Sequence, residues 1–101
     1  MRLVRQLVTQ IVGVPLDHPA VLVASELATN AVKYARTPFE VAISAENSIR
    51  IEVIDQAPVA PQLVDPSKHG FGMRLVAQLS DRWGAEQIEG NGKKVWAEVL
   101  R

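Results

Sequence analysis

At 101 residues, with 48% hydrophobic and 22% charged side chains, the chain has the make-up of one soluble globular domain. Eleven basic residues balance eleven acidic ones, so no electrostatic footprint favours nucleic acid or an anionic membrane. With no cysteine, disulfides and thiolate metal sites are excluded and a reducing, cytoplasmic setting is expected, while two histidines, His18 and His69, argue against zinc.

Val4, Leu7, Val8 and Ile11 fall at i, i+3, i+4 and i+7, which predicts an amphipathic helix over about residues 2–12 with these four on its buried side. Gly13-Val14-Pro15 ends it, and no signal peptide is read in it. Asp17 is the expected N-cap of a second helix, with Pro19 in its first turn and Thr37-Pro38 stopping it after about Ala35.

The second helix contains VLVASELATNAV, where eight of twelve residues are apolar and Glu26 is the single charge. Serine and glutamate interrupt the run well short of a membrane span. A helix apolar on most sides is buried, and Glu26 and Asn30, at i and i+4, share one of its faces. Two readings are open at this point. Either Glu26 pairs with Lys33, at i+7, and Asn30 binds a nearby backbone group, or the two line a cavity and hold a hard cation such as Mg2+ beside a phosphate.

From Phe39 the period changes to two. Phe39, Val41, Ile43 and Ala45 share one face, a turn follows at Glu46-Asn47-Ser48, and Ile49, Ile51, Val53 and Asp55 continue the alternation, predicting an antiparallel hairpin. Asp55 is anomalous, because the residues before it on that face all point inward. Residues 57–69 contain Pro58, Pro61 and Pro66 and no periodicity, as expected of a functional loop. Gly70-Phe71-Gly72 then opens a third helix with Leu75, Val76, Leu79 and Trp83 at helical spacing, where free N–H groups and a partial positive charge could receive phosphate. Residues 83–89 and 93–100 predict a last hairpin around Glu89-Gly90-Asn91-Gly92, with Val95, Ala97 and Val99 inward. The expected fold is α+β: a two-layer sandwich of three helices on one face of a mostly antiparallel sheet of about four strands.

Glu-x-x-x-Asn on a buried helix, a strand-terminal Asp, and G-x-G opening a helix after a proline-rich loop resemble, in this order, the ATP-binding domain of the GHKL superfamily, which includes gyrase, histidine kinases and MutL. SELATNAVKYA, GFGMRLVAQLSDRWG and GKKVWAEV are most similar to the anti-sigma factor serine/threonine kinases of bacteria. The resemblance covers about residues 2–100 and implies a single domain of the Bergerat type, with ATP and Mg2+ as cofactors. By the same resemblance Glu26 is the general base and Asn30 the Mg2+ ligand. Asp55 accepts the adenine amino group, which opposes the 6-oxo group of guanine. Nucleotide-binding positions are Asn30, Lys33, Asp55, Ala57, Gly70, Phe71, Gly72, Met73 and Lys93.

The implied function is phosphorylation of a small anti-sigma factor antagonist and regulation of a sigma factor, with a homodimer left open and no contact with nucleic acid or membrane. A sensor histidine kinase is the weaker reading, because the 101 residues hold no helical domain bearing a phospho-accepting histidine. The family's Asp-x-Gly box reads Asp55-Gln56-Ala57 here, its late Gly-Thr box reads Gly92-Lys93-Lys94, and the chain starts at the first helix where relatives carry a short strand before it. These departures set the alternative, a non-catalytic, nucleotide-dependent protein-interaction module.

Overall fold

Helix α1, Arg2–Val12, forms where expected, and its last turn closes with Gly13 N–H donating to Thr9 O at 2.9 Å. In the computed structural model, which describes residues 1–58, 71–88, 90 and 92–101, the face it buries is not quite the expected one. Val4, Val8 and Val12, an i, i+4, i+8 row, enter the core, whereas Leu7 is half-exposed and Ile11 is 60% exposed. The apolar arc of this helix is broader than its contact, so a second row, Leu3, Leu7 and Ile11, stays outside.

Helix α2, Pro19–Asn30, is capped by His18 rather than Asp17: His18 Nδ1 accepts from Ala20 N–H at 3.1 Å, and Pro19 fills the first helical position, where no N–H is needed. Ala20, Val21, Val23, Ala24, Leu27 and Ala28 are all buried, which makes α2 the centre of the helical layer. The helix reaches Ala35 as expected, but its last turn, Ala31–Ala35, is a π-turn closed by Arg36 N–H to Ala31 O at 3.1 Å, with Arg36 left-handed at φ 55.

Strands β1, Phe39–Ala45, and β2, Ser48–Asp55, form the predicted hairpin, with Val41 opposite Val53 and Ile43 opposite Ile51. Helix α3, Phe71–Leu79, buries Met73 and Val76. Its predicted helical partner Trp83 lies instead in β3, Arg82–Gln87, which ends two residues earlier than expected. Strand β4 is Lys93–Leu100. Of the turn before it, Glu89 and Asn91 lie outside the described residues; Gln87 Nε2 and Ile88 N–H both donate to Gly92 O, at 2.7 and 3.0 Å.

The sheet is antiparallel throughout, in the order β1-β2-β4-β3, so β2 and β4 are central. Ile49, Ile51 and Val53 meet Val99, Ala97 and Val95 across this pair and form the floor of the core under α2. The opposite face is charged: Arg50 bonds Glu52 and Glu98, Arg82 also bonds Glu98, and the Arg50 guanidinium lies 4.4 Å from the Trp96 ring centre. The architecture is thus the expected α+β sandwich, three helices on one face of a four-stranded antiparallel sheet. No described helix is long and apolar enough to cross a membrane.

Candidate functional site

α2 is buried along most of its length, yet Glu26 is only half-buried, because it lies where the first turn of α3 meets α2. The contact is close. A Cβ at position 72 would stand 2.5 Å from Glu26 Oε2 and 3.8 Å from Asn30 Oδ1, so the Glu26 carboxylate holds its present position against α3 only with a glycine there. The positive end of the α3 dipole thereby faces the Glu26 carboxylate.

Glu26 makes no ion pair with any described residue, which removes the Lys33 pairing as the explanation for its charge. The π-turn accounts for the miss. It adds a residue to the turn after Asn30, rotates Lys33 off the Glu26 face, and leaves Lys33 exposed. Asn30 is not tied to backbone either, since its buried Nδ2 has no hydrogen-bond partner among the described residues. A buried amide in that state costs stability unless a ligand completes it.

The second half of the site is at the far end of the β2–β4 pair. Asp55 and Lys93 are direct cross-strand partners, both on the inward face. Lys93 Nζ donates to Asp55 Oδ1 at 2.9 Å and lies 2.8 Å from Oδ2 in the same ion pair, with side chains only 1% (Asp55) and 7% (Lys93) exposed. Ala57 N–H also donates to Oδ1, at 2.9 Å. The preceding loop is pinned by Gln56 N–H to Thr37 Oγ1 at 3.0 Å, and Gly92 admits the Asp55 carbonyl, which would lie 2.7 Å from a Cβ there. Asp55 is therefore inward and buried as its strand position implies, but it is not alone. The period of β4 carried the signal, since stepping back two residues from Val95 places Lys93 on the core face.

Between the two halves lies a cavity of about 20 Å³ walled by Leu27, Asn30, Ala31, Val53, Asp55 and Lys93, room for about one water. A larger open hollow of about 510 Å³ lies beyond Asp55 near Glu40 and Ile88, but neither Glu26, Asn30 nor Gly72 lines it. Among the described residues, the α2–α3 side brings together a carboxylate and a carboxamide at a helix N-terminus. Residues 1–99 match the family described as the histidine kinase-like ATPase domain.

The chain belongs to that family. No match to it was found among the curated proteins or among the solved structures. Membership in the histidine kinase-like ATPase family supports ATP binding by this domain. The residues fit the cofactors. Asn30 Oδ1 and the Glu26 carboxylate are hard oxygen donors, and the Asn30 Nδ2, without a partner among the described residues, is a polar group that a bound ligand could complete. Of the other expected positions, Met73 is fully buried, which leaves only its backbone available to a ligand, and only the backbone of Phe71 is described. Ala57 reaches the site through its N–H, and Gly70 lies outside the described residues, as do 59–69 of the proline-rich loop.

Proposed function

We propose that the protein is a Mg2+-dependent serine/threonine kinase of the anti-sigma factor type, which phosphorylates a small antagonist protein and so regulates a sigma factor. One observation carries the reading. Glu26 stands half-buried at the N-terminus of α3, with no described cation to neutralise it, one helical turn from Asn30. That is the setting of a general base, whose lone pairs must be available to a substrate proton.

In this reading ATP supplies the phosphoryl group, and Asn30 Oδ1 would hold the Mg2+ that neutralises its phosphates. Glu26 takes the proton of the acceptor serine hydroxyl at Oε2 and directs its oxygen. The backbone N–H groups of α3's first turn face the same space and favour negative charge there. Transfer of this kind depends mainly on positioning and charge neutralisation, which these elements supply from the rigid α2 and α3.

The test is phosphotransfer from ATP to the antagonist protein, with wild type and Glu26→Gln side by side. The variant keeps nucleotide binding and loses transfer by about 10²–10⁴-fold, the usual worth of a general base. Retained transfer removes the base assignment. A non-catalytic, nucleotide-dependent interaction module is the second reading, favoured by the Lys93 ammonium against Asp55 where the family often carries a threonine. It is the reading left standing if nucleotide binds, the partner binds and neither protein is phosphorylated.

A further inference from the structure

Strands β1 and β2 pair as far as Phe39 opposite Asp55, so the next two residues in register are Pro38 and Gln56. Proline has no N–H, and the ladder cannot continue there as a full backbone pair. The Thr37 hydroxyl takes over at this step. Its Oγ1 accepts Gln56 N–H at 3.0 Å and donates to the Pro38 carbonyl at 3.0 Å. A hydroxyl has one donor and two acceptor sites, so it makes both bonds at once. The strand ends are thereby joined through a side chain, and the open hollow beyond Asp55 begins between them, at Pro38, Phe39, Ile54 and Gln56.

The clamp joins two parts of the molecule that matter to the site. Thr37 follows Arg36, the left-handed residue that closes the π-turn on Ala31, so it is the first residue beyond the helical segment that carries Asn30. Gln56 follows Asp55, and Ala57 N–H donates back to Asp55 Oδ1 at 2.9 Å. Ala57 stands where the family's box carries a glycine, yet it is not left-handed: Arg36 is the one non-glycine residue with positive φ among the described residues. The turn is therefore built without glycine's freedom, and two side-chain bonds hold its shape, one from Asp55 and one from Thr37.

We propose that Thr37 is a positioning residue of the nucleotide site: its hydroxyl sets the spacing between the Asn30 end of α2 and the turn that carries Asp55, and nucleotide affinity depends on it. The inference rests on the nucleotide-binding reading above. A ligand that engages both ends binds best when they are already held at the right distance, because no ordering is left for it to impose. Without the hydroxyl, Gln56 N–H turns to the Pro38 carbonyl, which draws the turn toward β1, or to water, which loosens it. Both weaken binding. Valine matches threonine in shape and lacks the hydroxyl, whereas serine keeps the hydroxyl and lacks the methyl group, so the two substitutions separate the bond from the packing.

The experiment is calorimetric titration of wild type, Thr37→Val and Thr37→Ser with ADP and Mg2+, paired with amide hydrogen exchange at Gln56 and Ala57 in the ligand-free proteins. Thr37→Val binds ADP about tenfold more weakly, the usual worth of one hydrogen bond, and exchanges faster at both amides. Thr37→Ser returns both readings to near the wild-type values. A folded Thr37→Val with wild-type affinity overturns the proposal, as does unchanged exchange at Gln56 or a Thr37→Ser as weak as Thr37→Val. If Thr37→Val does not fold, Thr37→Ala takes its place with the same expectations. In each of these outcomes wild type still binds ADP, so the nucleotide-binding reading stands. Failure of ADP to bind folded wild type defeats that reading and this one together.

Discussion

Gly72 and Glu26 are in such close apposition that a methyl group at position 72 would stand 2.5 Å from Glu26 Oε2. The atom in the way is the tip of a flexible side chain, so the carboxylate can swing aside and the helices need not part. Gly72→Ala should therefore cost little stability, about 1 kcal/mol, or a melting point roughly 4–8 °C lower. Function should suffer far more, because Glu26 is turned away from the α3 N-terminus. Phosphotransfer lost in Gly72→Ala while nucleotide binding and folding persist is the expected result; full transfer would show that the carboxylate's position does not matter. Melting curves add a second check, since Gly72→Ala combined with Glu26→Ala should melt higher than additivity predicts.

The Asp55–Lys93 pair makes a prediction about folding. Removing one member of a buried pair strands the other charge in the core, at a cost of about 3–5 kcal/mol, whereas replacing both with uncharged groups is far milder. Lys93→Met and Asp55→Ala should each lower the urea midpoint strongly, and Asp55→Asn with Lys93→Met together should recover most of the loss. Singles that each cost under about 1 kcal/mol would mean that the pair is open to water in solution.

Much of this was readable from residue order. Period-two runs gave β1, β2 and the inward face of β4, and Glu26, Asn30 and Gly72, written far apart, do come together. What resisted depends on packing choices that periodicity leaves open. Val12 rather than Ile11 enters the core because α2 takes only part of the apolar arc of α1. His18 caps α2 because its ring nitrogen reaches Ala20 N–H from one residue closer than Asp17. Lys33 leaves the Glu26 face because of a π-turn with no plain signature in its residues. The Asp55–Lys93 contact required the β2–β4 register, which no single strand encodes.

Asn30 separates stability from function. Its buried Nδ2 has no partner among the described residues, so the ligand-free protein bears a desolvated amide. Asn30→Leu removes that cost and should raise stability by about 1 kcal/mol or more, given the roughly 1–3 kcal/mol attached to an unmatched buried polar group. The same change removes the oxygen proposed to hold Mg2+, so Mg2+-dependent nucleotide binding should disappear. A variant that melts lower than wild type would show that the amide is satisfied in solution, and one that keeps Mg2+-dependent binding would remove Asn30 from the metal site.

On the sheet's open face, Glu98 receives hydrogen bonds from Arg82 and Arg50, and these hold its carboxyl below the ordinary value of 4.5, Arg82 more than Arg50. Arg50 is in turn pushed up from its ordinary value, chiefly by its hydrogen bond to Glu52. The sign follows from which state binds the proton more tightly. Glu98 is harder to protonate folded than unfolded, so its contribution to stability is complete above about 4.5 and fades as pH falls through the lower folded value. Arg50 keeps its charge throughout that range and adds no pH dependence of its own. Glu98→Gln should therefore melt below wild type at pH 7, and the gap should close as pH is lowered toward 3. Added salt should narrow the gap at pH 7 as well, because this face meets solvent and its charges are screened. A gap that stays constant from pH 7 to pH 3 would mean that Glu98 acts through packing alone, and that its two arginines contribute nothing through charge.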